Sequence, residues 1–494
     1  MTERKNRIFR LLYSVVQGSH VWAKSWIILI CFWAPVFCAL YPGVLTYDGL
    51  YEIKWFLVDG VVTDFHTLAH SAWLSASVFL GKNLFGDFVT GQALYTVTQS
   101  LLLSGCFSYC VASLRDFSVP PLAILGALAW FAVFPVHSIM AVSATKDVAF
   151  TAFFAVSVVL IAKMIANPRS YFSRVRNVLG LAICLFLMFA FRKNGLLVFA
   201  VCLPIIVIAS VGARRQIAVL GLCCMVVGMI YFGSLSSVFL TQETPTVPPS
   251  GTTEALSVPM QQVARVMVED GDALDQDTKE QIALYLPSWS RYDERIVDPI
   301  KFGDRVTSEI ENDPGGFMSL WANLALRFPG EYFDAWVAMS YGWWDPFFRY
   351  TEFSEGRPYL EMESAQRESI SDGDADRFIY IEQTGNSLLK RLACGVIYRA
   401  PWESIPLVSQ VFAPASMVWI IVVCAVILAF RRRTAERLSV ALLLPIVYAA
   451  SCLLGPTVMI RYAFPLFAVA PLAAAFAIAG ICSRKGKMSY HKNV

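Results

Sequence analysis

The chain has 494 residues, of which 56% are hydrophobic and only 16% are charged, and its formal net charge is +3. Soluble domains usually carry about 25% charged residues. This composition therefore excludes an ordinary soluble protein and places the chain among membrane proteins, and the small net charge gives no basis for a nucleic-acid partner.

The N-terminal region combines a basic run, from Arg4 to Arg10, with an apolar stretch at residues 24–41. This order is typical of a signal peptide. However, no small-x-small cleavage site follows, and many more apolar segments do. We therefore predict an uncleaved first transmembrane helix with the N-terminus in the cytoplasm.

A membrane-spanning helix needs about 20 mostly apolar residues, and ten segments of the chain meet this requirement. The stretch 66–81 is an eleventh candidate, but it is shorter and contains two histidines. The predicted fold is an all-α polytopic membrane protein with about 10–11 transmembrane helices. The ten predicted spans lie near residues 24–41, 90–114, 120–140, 146–165, 177–192, 195–212, 216–238, 410–430, 437–455 and 460–482.

The basic residues test the topology, because cytoplasmic loops are enriched in Lys and Arg. With ten spans and a cytoplasmic N-terminus, nearly every basic cluster falls in a cytoplasmic loop, as Arg214 and Arg215 do. A full span at 66–81 would put every later cluster on the wrong side. We therefore predict that 66–81 is a re-entrant or interface-lying helix in a multi-pass protein of the cell membrane.

Three regions follow from this topology. Residues 1–240 form an N-terminal transmembrane module whose first outer loop is 42–89. Residues 241–405 form an extracytoplasmic, mostly helical domain, and residues 406–494 form a C-terminal transmembrane module with a short basic cytoplasmic tail. In the outer domain, residues 261–269 are predicted to be helical.

A second outer segment, residues 317–348, contains four tryptophans in two helical stretches that break at Pro329 and Gly330. Dense aromatic residues are typical of helices that lie on a membrane surface. Eleven of the twelve cysteines fall inside apolar segments. Without zinc or disulfide spacing, we interpret them as small buried hydrophobic residues.

The first outer loop places carboxylates and histidines next to a predicted span. Asp48, in the segment TYDG, is a candidate base that takes a proton from an acceptor hydroxyl; the alternative is a helix N-cap. Asp64 and His66, in TDFH, are a candidate second acid or acceptor-positioning pair, again with an N-cap as the alternative. His66 and His70 share a helix face, but a metal site would need a third placed ligand.

Four cations from distant parts of the chain fall on the same outer side. Lys146 opens a span, where the helix dipole also favours an anion; the alternative is an ion pair with Asp147. Arg192 and Lys193, in FRKNG, depart from the positive-inside trend. Arg461 begins the last span, and arginine binds phosphate through its planar fork; the alternative is a buried salt bridge to an outer carboxylate.

Ionisable residues at membrane depth are costly and are functional candidates by default. Cations that hold a phosphate and a carboxylate that activates a hydroxyl are the groups that sugar transfer from a polyprenyl phosphate requires. One base and direct attack predict inversion at the anomeric carbon, by analogy with inverting hydrolases. The predicted phosphate or substrate-binding residues are Lys146, Arg192, Lys193, Arg461, His66 and Tyr462, with Asp48 and Asp64 as catalytic residues.

The segments YPGxxTYD, DFH, KDVAFTAFF, FRKNG, PMQQVAR, YGWWDP and RYAFP resemble, in order and topology, a bacterial multi-pass membrane family that is similar to the GT-C superfamily of glycosyltransferases. The match runs from about residue 24 to 480. The resemblance implies a polyprenyl-phosphate sugar donor and a catalytic carboxylate in a large first outer loop, here Asp48 or Asp64. It also implies that Arg461 holds the donor phosphate.

The expected function is sugar transfer to an extracytoplasmic acceptor, which is a cell-envelope glycan, a lipid or a protein. No metal ligand is assigned; a divalent metal cofactor is compatible with the sequence but not required by it. The main alternative is a transporter or lipid flippase, which predicts broken spans, midplane charges and internal repeats. A wall-polymer ligase and a non-catalytic membrane subunit are further alternatives.

Overall fold

The computed structural model describes residues 13–58, 66–235, 255–301, 308–350, 387–431 and 433–482. Within them the chain is overwhelmingly helical. The helices before residue 240 are α1 (Val21–Ala39), α2 (Tyr47–Ile53), α3 (Leu68–Phe85), α4 (Phe88–Ser113), α5 (Pro121–Val133), α6 (Pro135–Ala141), α7 (Lys146–Ala166), α8 (Pro168–Phe172), α9 (Val175–Phe191), α10 (Lys193–Ala209) and α11 (Arg214–Ile230).

The remaining helices belong to the outer domain and to the C-terminal part of the bundle. They are α12 (Ser257–Glu269), α13 (Gln276–Tyr285), α14 (Asp298–Lys301), α15 (Ser308–Asn312), α16 (Pro314–Arg327), α17 (Pro329–Ser340), α18 (Ser387–Arg399), α19 (Val408–Phe412), α20 (Pro414–Ala429), α21 (Arg433–Ala441), α22 (Leu443–Cys452) and α23 (Ile460–Cys482).

The structure has apolar helices at all ten predicted span positions, but they differ in length. Among the residues that the structure describes, five helices are long and apolar enough to cross a membrane: α1, α4, α7, α11 and α23. Taken as one span, α5 and α6 are together also long and apolar enough, although the chain bends by 53° between them. The other four positions hold apolar helices of 10–17 residues, so the predicted count of ten spans is not met by length alone.

Two of the long helices begin where the sequence supplies a cap. The carboxylate of Asp87 accepts the backbone N–H of Thr90 at 2.6 Å and starts α4, and Thr145 caps α7. Such caps satisfy N–H groups that have no partner within the helix. α7 lies at the centre of the bundle, because 89% of its apolar span is buried. It packs against α4, α9 and α23.

One feature departs from the all-α prediction. Val44 and Leu45 (β1) pair in parallel with Ser143 and Ala144 (β2). The chain reaches β1 through Gly43, whose φ of +126° is readily adopted only by glycine. This short pairing joins the first outer loop to the residues immediately before α7.

The outer domain has a hydrophobic core of its own, built by α12, α13, α16 and α17 around side chains such as Met260, Phe317 and Met339. The helix predicted at 261–269 and the break at Pro329 are confirmed. The domain rests on the loop between α22 and α23, because the indole N–H of Trp336 donates to the carbonyl of Leu453 at 3.1 Å.

The tryptophans of residues 317–348 mostly pack inside the protein and do not form a continuous surface stripe. Trp321 donates to the side-chain oxygen of Gln262 at 2.8 Å, and Trp343 is buried. Trp344 is the exposed member of the four. The aromatic residues therefore serve mainly to hold the outer domain together and to attach it to the bundle.

The stretch predicted to be re-entrant or interfacial forms α3. Among the described helices, α3 is not one of those that are long and apolar enough to span a membrane. α3 packs against the first part of α4 at a glycine contact, where a Cβ on Gly81 would collide with the backbone of Gly91. Further along, α4 leaves this contact and packs against α1, where Trp26 donates to Ser104. α3 thus accompanies α4 only near one end of the bundle.

This contact predicts the effect of the Gly81→Ala substitution. Alanine normally stabilises a helix by about 1 kcal/mol relative to glycine, but here the added methyl group must push two backbones apart. We expect a loss of about 1–3 kcal/mol, measured as a lower midpoint of thermal unfolding in detergent. Gly180→Ala in α9 is the control, because nothing lies within 4 Å of a Cβ at that position. Equal midpoints for the two variants would contradict the close packing of α3 on α4.

Candidate functional site

The N-cap of α2 is Thr46, and this frees Asp48 for other contacts. The Thr46 hydroxyl accepts the N–H of Gly49 at 3.2 Å and donates to the carbonyl of Ala144 in β2 at 2.7 Å. Asp48 lies in the first turn of α2. The N-cap interpretation of Asp48 is therefore wrong, and its carboxylate points to groups from other helices.

Asp48 lies between two cations that come from opposite halves of the chain. One Asp48 oxygen, Oδ2, accepts from Nη1 of Arg461 at 2.8 Å. The same oxygen is 4.0 Å from Nζ of Lys146. The structure thus brings together three of the predicted site residues, at the start of α2, of α7 and of α23.

The environment of Asp48 keeps it ionised. Burial by itself raises the pKa of the carboxyl group, but the charges of Arg461 and Lys146 outweigh burial and hold the pKa well below its usual range. The side chain is nevertheless 20% exposed. Asp48 is therefore an ion-paired carboxylate that can be reached from solvent.

His66 connects the lysine to a second carboxylate. Its Nδ1 is 3.3 Å from Nζ of Lys146 and 3.8 Å from Oε1 of Glu52, and its ring stacks on Trp55 at 5.5 Å between centroids. Burial, together with the charge of Lys146, lowers the pKa of His66 to about 4. At neutral pH the imidazole is thus uncharged, and Lys146 donates to it.

Glu52 is held by the first turns of α3. Its Oε2 lies 2.6 Å from Nδ1 of His70 and accepts from the hydroxyl of Ser71 at 2.7 Å. Burial raises the pKa of Glu52, but the His70 charge and hydrogen bond exceed this effect, so the net shift is downward to about 2. Glu52 is one helical turn after Asp48, so the same short helix carries both carboxylates.

Hydrogen bonds define the role of one ring nitrogen of His70. The amide nitrogen of Gln99 donates to the carbonyls of Ala141 and Ser143 at 3.1 and 2.8 Å, so its oxygen must accept from Tyr95, 2.6 Å away. The Tyr95 hydroxyl therefore has no proton left for Nε2 of His70, at 2.8 Å, and must accept from it. Nε2 thus carries a proton, and Nδ1 shares a hydrogen bond with Glu52.

The two histidines converge on one carboxylate. Nδ1 of His70 lies 2.6 Å from one oxygen of Glu52, and Nδ1 of His66 lies 3.8 Å from the other. Among the residues that the structure describes, no three His, Cys, Asp or Glu side chains converge in a way that would hold a metal ion. We assign no metal ligand here.

A second ion pair lies deeper in the protein. Arg192 donates to the carboxylate of Asp147, which is completely buried. The guanidinium of Arg192 also lies over the rings of Tyr462, Phe150 and Tyr448, at 4.6, 5.8 and 5.9 Å from their centroids. Asp147 thus pairs with Arg192 and not with its neighbour Lys146, contrary to the alternative interpretation of Lys146.

The other predicted residues have different positions. Tyr462 separates the two arginines, with its ring 4.6 Å from the guanidinium of Arg192 and 5.2 Å from that of Arg461. Lys193 is exposed at the first residue of α10. Asp64, the predicted second catalytic residue, lies outside the described residues.

We call the charged residues of this region the outer charge cluster: Asp48, Glu52, His70, Lys146, Asp147, Arg192 and Arg461. It contains three carboxylates, three Lys or Arg cations and one histidine. The cluster lies at one end of the bundle, since Lys146 is the first residue of α7 and Arg461 is the second residue of α23. The two cations that share the partly exposed Asp48 carboxylate favour an anionic ligand.

Sequence reasoning did not assign Glu52, His70, Tyr95 or Gln99 to the site. Two features of the sequence could have indicated some of these residues. Glu52 follows Asp48 at the i+4 spacing of one helix face, and Tyr95 and Gln99 repeat the same spacing within an apolar helix. Polar residues on one face of an apolar helix indicate a buried polar contact.

The fold and the site define a class of protein: a helical, multi-pass membrane protein with paired buried charges gathered at one end of its bundle. A model of a family of unknown function, DUF6020, matches residues 55–489, and the chain belongs to this family. Comparison with curated proteins and with solved structures gave no match.

The hydrogen-bond chain behind Glu52 predicts the effect of Tyr95→Phe. Losing the hydroxyl leaves the Nε2–H of His70 and the oxygen of Gln99 without a partner in a buried position, at a cost of about 1–3 kcal/mol for each group. We expect a clear drop in the midpoint of thermal unfolding. Tyr109→Phe is the control, because Lys163 keeps its contacts to Asp116 and Ser113. A Tyr95→Phe midpoint like that of the control would contradict the chain.

The neutral state of His66 predicts a pH dependence. Its pKa is about 4 in the folded protein and 6.5 in an ordinary environment, so between these values the unfolded chain binds a proton that the folded chain does not. The free energy of unfolding should fall by roughly 3 kcal/mol as the pH drops through this window. The lowered pKa values of Asp48 and Glu52 act in the same direction at lower pH.

Thermal unfolding of wild type and His66→Asn between about pH 7 and pH 4.5 tests this. Asparagine keeps an acceptor for Lys146 but does not titrate, so the variant should lose much less stability on acidification. His20→Asn, at an exposed position before α1, should behave like wild type. Parallel pH profiles for wild type and His66→Asn would exclude His66 as the titrating group.

Proposed function

We propose that the protein is a membrane glycosyltransferase that moves a sugar from a polyprenyl-phosphate donor to an acceptor outside the cytoplasm. The observation that carries this proposal is the position of Asp48 between Arg461 and Lys146. The pair of cations suits a phosphate, and the carboxylate beside them suits a reacting hydroxyl. Both groups are needed in one place for transfer from a sugar phosphate.

The location of these residues favours a lipid-linked phosphate. Lys146 and Arg461 open two long apolar helices, α7 and α23. A phosphate that they bind would therefore lie at the level where apolar helices end, as the headgroup of a membrane lipid does. The guanidinium fork of Arg461 and the N-terminus of α7 both favour phosphate oxygens.

The proposed reaction is a direct displacement. The acceptor oxygen forms a bond to the anomeric carbon while the bond from that carbon to the phosphate oxygen breaks. The electron pair of the broken bond stays on the polyprenyl phosphate, whose charge Arg461 and Lys146 neutralise. Asp48 takes the proton of the acceptor hydroxyl. A single displacement inverts the anomeric configuration.

The finer architecture belongs to the same proposal. We infer that all ten apolar positions cross or enter the membrane in a GT-C-like arrangement. We also infer that the end of the bundle that carries the outer charge cluster faces away from the cytoplasm. The opposite end holds Lys163 and Arg169, at the end of α7 and in α8, which suits the cytoplasmic side. The outer domain then lies above the site.

An in vitro assay with full-length protein in lipid nanodiscs tests the function. A panel of polyprenyl-phosphate sugars with radiolabelled sugar groups is incubated with membranes that contain envelope acceptors, and transfer is measured. Asp48→Asn should lower the rate by about 10²–10⁴-fold, as expected for loss of a general base. Asp334→Asn, which removes an exposed carboxylate from the outer domain, should leave the rate unchanged.

Two outcomes would contradict the proposal. Unchanged transfer by Asp48→Asn would exclude Asp48 as the base and direct attention to Asp64. No transfer by the wild-type protein from any donor would contradict the glycosyltransferase itself. Movement of the labelled lipid between leaflets, without hydrolysis or transfer, would instead support the flippase.

A further inference from the structure

Two of the ion pairs in the outer charge cluster differ in the exposure of the carboxylate. That of Asp147, paired with Arg192, is 0% exposed, whereas that of Asp48 is 20% exposed. The cations differ little, because Arg192 is 17% exposed and the partners of Asp48, Arg461 and Lys146, are 11% and 18% exposed. The Asp48 carboxylate can therefore turn towards solvent when another anion arrives, whereas the Asp147 carboxylate is enclosed. Arg461 and Lys146 are thus the cations whose carboxylate can be exchanged.

One oxygen of Asp48 occupies the position where these two cations converge. Arg461 is at hydrogen-bond distance from it, at 2.8 Å, but Lys146 is not, at 4.0 Å. A phosphate oxygen carries the same kind of charge and accepts from the same donors at similar distances. Unlike a single carboxylate oxygen, a phosphate group offers several oxygens and can satisfy both cations at once.

The backbone around Asp48 is held independently of this pair. Thr46 caps α2 and bonds to Ala144, and Glu52 anchors the end of α2 to His70 and Ser71. Breaking the contact between Asp48 and Arg461 therefore does not require α2 to move. A change of the Asp48 side-chain rotamer is enough to vacate the position.

We propose that the Asp48 carboxylate and a phosphate group compete for one cationic site formed by Arg461 and Lys146, so that binding of the phosphate releases Asp48. This inference rests on the proposed function and assigns an order to its steps. A carboxylate held by a guanidinium is a weak base. When the phosphate takes over Arg461, Asp48 becomes a stronger base at the moment when the donor is in place.

The prediction is that removing the Asp48 charge strengthens phosphate binding although it weakens transfer. Two unit charges about 4 Å apart interact by several kcal/mol near a protein surface, so we expect Asp48→Asn to bind farnesyl phosphate about tenfold more tightly or better. The measurement is calorimetric titration of the full-length protein in detergent. Inorganic phosphate and farnesol are titrated in parallel.

The parallel titrations identify which part of the ligand is recognised. Tightening for farnesyl phosphate and for inorganic phosphate supports a site for the phosphate group itself. Tightening for farnesyl phosphate alone supports a site for a lipid-linked phosphate. Farnesol, which lacks the phosphate, should show no difference between wild type and variant, and an equal gain for farnesol would overturn the proposal.

Three further variants complete the design. Asp48→Glu keeps the competing charge and should not gain affinity. Arg461→Gln in the Asp48→Asn background should abolish the gain, because the phosphate then lacks its main partner; this cycle isolates the coupling between the two residues. Asp334→Asn changes the net charge equally at a distant position and should bind as wild type does.

Asp48→Ser is a second neutral variant in case Asp48→Asn does not fold, and circular dichroism with gel filtration monitors folding in each case. Unchanged or weaker phosphate binding by a folded neutral variant would overturn the competition. The same result together with lost transfer would leave the proposed function intact. Tighter binding with normal transfer would support the competition and exclude Asp48 as the base.

Discussion

Neutralisation of buried charge is the constraint on which the arrangement of the site depends, and the ion pair between Asp48 and Arg461 shows it most directly. It joins residues that are 413 positions apart, in the first outer loop and at the start of the last long helix. Burying the Arg461 charge without an anion beside it would be strongly unfavourable, so this position requires a negatively charged partner. The short pairing of β1 with β2 adds the third element by placing Lys146 4.0 Å from Asp48. The first outer loop, the central helix α7 and the C-terminal helix α23 are thereby brought into contact at one end of the bundle.

The same requirement explains the rest of the outer charge cluster. Asp147 and Arg192 neutralise each other in the interior, and aromatic rings cover the guanidinium. Glu52 is paired with His70, and Tyr95 and Gln99 connect that pair to the backbone. The carboxylates of these two pairs are enclosed by the protein, which suits a rigid frame. The accessible pair of Asp48 and Arg461 is the member of the cluster where a ligand can act.

The separation of enclosed ion pairs from the accessible pair of Asp48 and Arg461 relates stability to function. The residues that hold α2 in place, Thr46 and Glu52, lie on either side of Asp48 in the sequence, so Asp48 can exchange partners while its helix remains fixed. The outer domain contacts the loop that leads to Arg461. Under the proposed function, the donor would arrive from the bilayer and the acceptor from the outer side.

The sequence by itself determined the class of protein, the positions of the ten predicted apolar segments, the two helices broken at Pro329 and the choice of Asp48, Lys146, Arg192 and Arg461 as candidate residues. Hydrophobic segments and helix breaks at proline are local properties of the sequence. A charged residue at the end of an apolar segment can likewise be recognised without knowing the fold. Only the tertiary structure decided which charges pair. Asp147 pairs with Arg192 and not with the adjacent Lys146, Thr46 and not Asp48 is the N-cap of α2, and His70 contacts Glu52. These contacts depend on distances between segments that are far apart in the sequence, and the sequence alone does not give those distances. The length of each helix also followed from bends and caps in three dimensions, which is why fewer helices than predicted are long enough to span a membrane.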